Sequence, residues 1–207
     1  MIIGLTGTYC AGKNYISSLL EARGLPVLDV DKFGYKALEL EKETIYTQFG
    51  ADFKKINSSW NPKADLDRRL LGLVVFGNPE KLAILEAIIH PVADSLTKEW
   101  LETQNRPCVI NAALLHRSFV FERLDRIILV NAPLLTRFIR AKKRDKLTFP
   151  ELIKRFSSQK DFYSQYLTKK AEIYRIENPG LHCRPDLAGS RNLKLESRID
   201  KFLEGIK

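Results

Sequence analysis

Residues 4–14 read Gly-Leu-Thr-Gly-Thr-Tyr-Cys-Ala-Gly-Lys-Asn, after an apolar start and just before a helical pattern. Strand, Gly-x-x-x-x-Gly-Lys and helix, in that order, make a phosphate-binding loop. Gly7 and Gly12 let the backbone turn tightly enough to aim successive N–H groups at a small volume. The helix start adds its partial positive charge, and Lys13 reaches the outer phosphates as a point charge. The nucleotide contacts expected from the loop are Gly7, Cys10, Ala11, Gly12, Lys13, Asn14 and Tyr15. One position departs from the pattern: Asn14 stands where Ser or Thr would place a hydroxyl on Mg²⁺. Asn14 is therefore the candidate metal ligand, direct or through a water, of a nucleotide-dependent phosphotransferase.

Strand-like and helical segments alternate downstream. Strands are expected at residues 2–6, 27–30, 108–112, 126–130 and 172–176. Helices are expected at 13–22, 33–49, 66–76, 79–103, 134–144, 151–156 and 193–203, with loop at 50–64. Pro79 suits a first helical turn, and His90-Pro91 predicts a kink or break. The alternation predicts an α/β fold, a parallel sheet flanked by helices. At 207 residues the chain can bury a sizeable core as one main unit with an insertion.

Composition excludes several classes. No apolar run has the length of a membrane span, and the N-terminus lacks a basic leader, so a cytoplasmic protein with no membrane partner is expected. Cys10, Cys108 and Cys183 lie far apart without metal-ligand spacing, so neither a disulfide framework nor structural zinc is indicated. Cys108 reads as core; Cys10 sits in the phosphate loop.

The formal charge of +9 is concentrated: residues 137–160 hold nine basic and two acidic side chains. The stretch reads as an arginine lid over a phosphoryl group, as a solvated helix face, or as a nucleic-acid patch. The phosphate loop favours the lid. Phe138, Phe149 and Phe156 fit apolar helix faces and discriminate poorly.

In parallel sheets, ligands bind beyond the carboxyl ends of the strands. Asp29 and Asp31 close the second expected strand, where a two-residue separation puts both on one face. A carboxylate there orients or deprotonates an attacking hydroxyl. The competing reading for Asp31 is a helix N-cap.

Together these residues resemble the dephospho-CoA kinase family over most of the chain. The likeness rests on Gly4-Leu5-Thr6-Gly7, Gly12-Lys13, Leu28-Asp29-Val30-Asp31, Leu66-Asp67-Arg68-Arg69 with Leu71, and Val75-Phe76. It continues in His90-Pro91, Leu114-Leu115, Arg140, Arg144-Asp145, Gln159 and Asn178. The resemblance implies a kinase core at about 1–49, 106–135 and 170–207, a helical CoA-binding insertion at about 50–105, and a lid at about 136–169. It implies ATP and Mg²⁺, dephospho-CoA as the small-molecule acceptor, no nucleic-acid partner, and a monomer or weak oligomer. Asp31, Lys13 and Arg140 are the implied catalytic residues. Arg144 and Asn178 join the nucleotide contacts, while Asp29, Arg68, His90 and Leu114 contact the acceptor.

The chain departs from the family pattern near the expected metal and acceptor. Besides Asn14, Asn111 stands where the family usually has Asp, Ala113 where it has Pro, and Arg117 where it has Glu. Tyr35 stands at a position commonly Arg, and tyrosines replace lid arginines around residues 162–166. These changes keep open a catalytically weak nucleotide-binding protein, or one acting on another acceptor or partner. An RNA-associated protein using residues 137–160 is the remaining alternative.

Overall fold

The computed structural model describes residues 1–145, 147–159, 161–167, 171–179 and 188–206, with side chains undescribed at 188–192. Cys183, Gly180 and Lys160 fall outside the described residues. The elements run β1 (Ile2–Gly7), α1 (Lys13–Ala22), β2 (Val27–Asp29), α2 (Val30–Leu40), α3 (Lys42–Ile56), α4 (Arg68–Val75) and α5 (Pro79–Glu102). They continue β3 (Cys108–Asn111), two 3₁₀ turns (Leu115–Arg117 and Phe119–Arg123), β4 (Arg126–Asn131), α6 (Leu134–Asp145), α7 (Phe149–Ser157), α8 (Ser164–Leu167), β5 (Glu172–Glu177) and α9 (Ala188–Glu204).

The chain divides into two compact units, Met1–Asp29 with Gln104–Lys207, and Val30–Thr103. The first is built on a five-stranded sheet of order β2-β3-β1-β4-β5. Every strand pair in it is parallel. The inner strands are buried nearly throughout, as a sheet covered on both faces requires. Ile16 and Leu20 on α1, and Leu195 and Ile199 on α9, repeat every fourth residue and share one core with Ile3, Leu5, Val109, Ile128, Val130 and Ile176. Cys108 is buried, as its apolar context predicts. The sheet's carboxyl edge gathers Gly7, Asp29, Asn111, Asn131 and Glu177.

The second unit is all helical. Its core joins Ile45, Tyr46, Phe49 and Phe53 of α3 to Leu70, Leu71, Val74 and Val75 of α4 and Leu85 of α5. Trp60 closes it, with its ring 5.2 Å from Tyr46 and 5.3 Å from Phe53. Asp67 caps α4 by accepting from the N–H groups of Arg69 and Leu70. Asn78 caps α5 by accepting from Lys81, and Pro79 takes the first turn as expected.

Four expectations need correction. The second strand stops at Asp29 and α2 begins at Val30. Asp29 and Asp31 therefore do not share an extended strand, and Asp31 lies inside the first turn of α2 rather than at an N-cap. The expected helix at 33–49 is two helices separated at Glu41, whose carboxylate accepts from the Thr44 hydroxyl at 2.7 Å. No Gly or Pro marks that break. The expected loop at 50–64 is helical as far as Ile56, because Phe53 continues the Ile45–Phe49 stripe across Gly50. Finally, of the kink or break expected at His90-Pro91, the break does not occur: α5 runs through Pro91. A proline inside a helix costs about 3 kcal/mol, and α5 meets that cost by packing along α2 and burying Leu85, Ala93 and Thr97 on either side.

Candidate active site

The loop between β1 and α1 is shaped by its own sequence and by contacts from three later segments. Gly12 takes the left-handed φ of +95° that starts α1. A Cβ on it would fall 2.3 Å from Asn178 Nδ2, so only glycine lets that side chain close on the loop. Gly7 lies against β4, where a Cβ would approach the Val130 carbonyl oxygen to 2.6 Å. Cys10 also has positive φ, +59°.

Arg140 and Asn178 brace the loop from outside. The Arg140 guanidinium donates from Nη1 to the carbonyl oxygens of Ala11 (2.9 Å) and Cys10 (3.3 Å), and from Nη2 to Asn178 Oδ1 (3.3 Å). Asn178 Nδ2 donates to Ala11 O at 2.8 Å. Asn178 is held in turn by its backbone N–H, which donates to Asn131 O at 2.7 Å. Thr8 Oγ1 donates to Asn131 Oδ1, and Asn131 Nδ2 donates to Glu177. The carboxyl ends of β4 and β5 are thus tied to the phosphate loop.

The basic stretch supplies a second brace. Arg137 donates from Nε to Tyr9 O at 2.8 Å, and Gln159 Oε1 accepts from Tyr9 N at 2.6 Å. The Tyr9 hydroxyl donates to Asp145, which also pairs with Arg144 and Arg155. Both of these guanidiniums lie over the Tyr9 ring, at 5.3 and 5.6 Å from its centre. Phe156 meets Tyr9 edge-on, and Phe138 contacts both Phe149 and Phe156. The aromatics of residues 137–160 therefore pack on each other and on the loop.

Burial sets the local electrostatics. Desolvation lowers the pKa of Arg137 and Arg140, both cations facing backbone carbonyls. It raises that of the Cys10 thiol despite the neighbouring Arg144, so Cys10 is held as a thiol and not as a nucleophile. The Asp145 carboxyl is held below its ordinary range, chiefly by its bond to Arg144.

Asn14 and Asn111 also meet. Asn111 closes β3, in register with Leu5 of β1 and Asp29 of β2, and is 1% exposed. Its Nδ2 donates to Asn14 Oδ1 over a long 3.4 Å. Mg²⁺ prefers oxygen ligands, commonly one or two carboxylates with phosphates. This pair has no charge, and the Asn14 oxygen already accepts from an N–H. It does not fit a directly held Mg²⁺.

Of the expected site residues, Cys10, Ala11, Gly12, Arg140 and Asn178 come together in one network, while Gly7 lies against Val130 of β4. Lys13, Asn14 and Tyr15 open α1, and Asp29 ends β2 beside Asn111. Arg144 reaches the loop through Tyr9 and Asp145 and lies near enough to act electrostatically on Cys10. Leu114, exposed, follows β3. Asp31, Arg68 and His90 belong to the helical unit, where the Arg68 guanidinium lies 4.7 Å from the Tyr35 ring centre. Sequence reasoning missed Arg137 and Tyr9. The signal for Arg137 was its place three residues before Arg140 and seven before Arg144, along one helix face.

The dephospho-CoA kinase family profile matches residues 1–178. The chain belongs to the dephospho-CoA kinase family. It is similar to the dephospho-CoA kinase of Treponema denticola, 32% identical over 86% of this chain and 82% of that one. The Thermus thermophilus dephospho-CoA kinase is 33% identical over 87% and 84%. A crystal structure from Thermus thermophilus superposes with a TM-score of 0.73 at 29% identity, covering 100% of this chain and 98% of the other. A shikimate kinase from Bacteroides thetaiotaomicron shares the fold alone, with a TM-score of 0.54 at 16% identity over 99% and 98%. The chain is thus an ATP-dependent kinase that phosphorylates dephospho-CoA, and the weak or divergent nucleotide-binding alternative is not favoured. Among the described residues of this kinase no helix is long and apolar enough to cross a membrane.

Proposed function

We propose that the kinase transfers the γ-phosphoryl group of ATP to the ribose 3′-hydroxyl of dephospho-CoA by positioning and charge stabilisation, with the following roles. Lys13 and the first amides of α1 take the β- and γ-phosphates. The N–H groups of Tyr9 and Ala11 are already turned to Gln159 and Thr8, which leaves the phosphates to the other amides of the loop and the start of α1. Asp31 orients the acceptor hydroxyl and takes its proton, a role resting on its position in the family pattern. Arg140 fixes the loop through Cys10 and Ala11. Those contacts do not exhaust the donors of a guanidinium, and the rest neutralise charge on the transferred group.

The carrying observation is the convergence of Arg140 and Asn178 on Ala11 O, from two elements remote in sequence. A loop braced this way presents its donors without reorganising at the moment of transfer. Arg68, His90, Asp29 and Leu114 contact the acceptor, and residues 50–105 form its insertion. Residues 136–169 form the lid, with Arg137 and Arg144 holding Tyr9 beneath it. Mg²⁺ arrives with the triphosphate. The enzyme works in the cytoplasm as a monomer or weak oligomer.

ADP release measured by a coupled assay, with and without dephospho-CoA, tests the reading. Turnover that requires the acceptor and yields coenzyme A is the expected result. Equal ATP turnover without the acceptor overturns it.

A further inference from the structure

We infer that this kinase binds ATP with little help from Mg²⁺, because two linked carboxamides, Asn14 and Asn111, stand where the family pattern has a hydroxyl and a carboxylate. The inference rests on the ATP-binding reading above and concerns affinity alone.

Three observations carry it. The two departures from the family pattern, 97 residues apart in sequence, are one contact: Asn111 Nδ2 donates to Asn14 Oδ1. Replacing only one partner would leave a carboxylate or a hydroxyl to hold the ion, whereas both are neutral amides here. Second, Asn111 Oδ1 is buried without a hydrogen-bond partner among the described residues. Such an orphan acceptor costs about 1–3 kcal/mol. One neutral oxygen beside a fixed NH₂ group is a poor ligand for a dication. It is a good acceptor for a water that donates also to a phosphate oxygen, a bridge nearly as favourable as a direct bond. Third, cations crowd the same loop. Arg140 bonds Cys10 and Ala11, Arg137 bonds Tyr9, and Arg144 and Arg155 cover the Tyr9 ring. Among the described residues, no group of three or more His, Cys, Asp and Glu could hold a metal. Positions 14 and 111 themselves therefore offer no carboxylate to recruit an ion, on a loop that carries guanidiniums and Lys13.

Isothermal titration of the full chain with ATP tests this, in excess EDTA and in saturating Mg²⁺ without acceptor. The expected Kd values for the parent differ by less than about threefold. In Asn14→Thr/Asn111→Asp, Mg²⁺ is expected to tighten binding by about tenfold or more. If burying a carboxylate prevents folding, Asn14→Thr alone, on an exposed helix position, is expected to gain a smaller Mg²⁺ dependence. A parent that tightens about tenfold with Mg²⁺ overturns the inference. So does a folded double variant that gains nothing. No ATP binding in either condition, with the fold intact by circular dichroism, instead overturns the nucleotide reading on which it rests.

Discussion

Arg140 donates to the carbonyl oxygen of Ala11 at 2.9 Å, joining α6 to the backbone of the phosphate loop. A carbonyl held outward by a half-buried cation leaves its peptide's N–H side turned the other way. The arginine therefore acts on the loop's shape as well as on charge. Gly12 allows the arrangement, since a side chain there would collide with Asn178, which shares the same carbonyl.

Arg140→Lys keeps the charge and loses the planar fork, so one ammonium cannot serve Cys10, Ala11 and Asn178 together. Hydrogen bonds to charged groups contribute about 1.5–3 kcal/mol. We expect kcat/KM for ATP to fall roughly 10- to 100-fold, with both kcat and KM affected. Steady-state kinetics on the purified variant decide the matter, and parental kinetics would remove Arg140 from the loop's support.

Lys13→Ala removes the point charge expected at the β- and γ-phosphates. Because Lys13 is the first residue of α1 and outside the core, the fold should survive. Loss of one such stabilising group costs about 10²–10³ in kcat. A thermal melt and a kinase assay on the same preparation check both halves of the prediction. Turnover close to the parent's would contradict the role of the lysine.

Asp31→Asn separates catalysis from helix stabilisation. Asp31 lies in the first turn of α2, where a negative charge also favours the helix dipole by about 0.3–1 kcal/mol. A base or orienting carboxylate contributes roughly 10²–10⁴ in rate. We expect kcat to fall within that range while KM for dephospho-CoA changes little, the mark of a group acting in the transition state. A lower melting temperature with kcat preserved would assign Asp31 to the helix alone.

The parts of the fold legible in the sequence were those dictated by local pattern. Strand–glycine–helix placed the loop, and helical periodicity placed α1 and α9, whose Ile16, Leu20, Leu195 and Ile199 enter the core. The break at Glu41 carries no glycine or proline, so periodicity ran through it. Helix α5 runs through Pro91 because tertiary packing outweighs a local penalty. At the site, Gly12, Lys13 and Asn178 stood out by position, whereas the Tyr9 clamp did not. Its partners Arg137, Asp145 and Gln159 lie more than 125 residues downstream, and only the fold brings them to the loop. Asn14 and Asn111 were each visible as departures, but their contact was not.

The Tyr9–Asp145 clamp predicts an acid-sensitive component of stability. Asp145 accepts from Tyr9 and pairs with Arg144 and Arg155, and Arg144 chiefly holds its carboxyl below the ordinary value. A carboxylate depressed in the folded state stabilises fully above its unfolded value, about 3.9. That contribution is lost as pH falls through the lower folded value. Arg144 and Arg155 are more than half exposed, so screening reduces the gain to about 1 kcal/mol. Asp145→Asn retains an acceptor for Tyr9 but removes the charge. At pH 7 the variant should melt about 2–4 °C below the parent. Below about pH 4 the two curves should begin to converge, meeting only once pH has fallen through the lower folded value and the parent's carboxyl is neutral as well. Thermal melts across this range measure the difference directly. A gap that persists unchanged at the acid end would mean that Asp145 stabilises through shape and hydrogen bonding alone, and that the arginines over Tyr9 take no part in holding the loop.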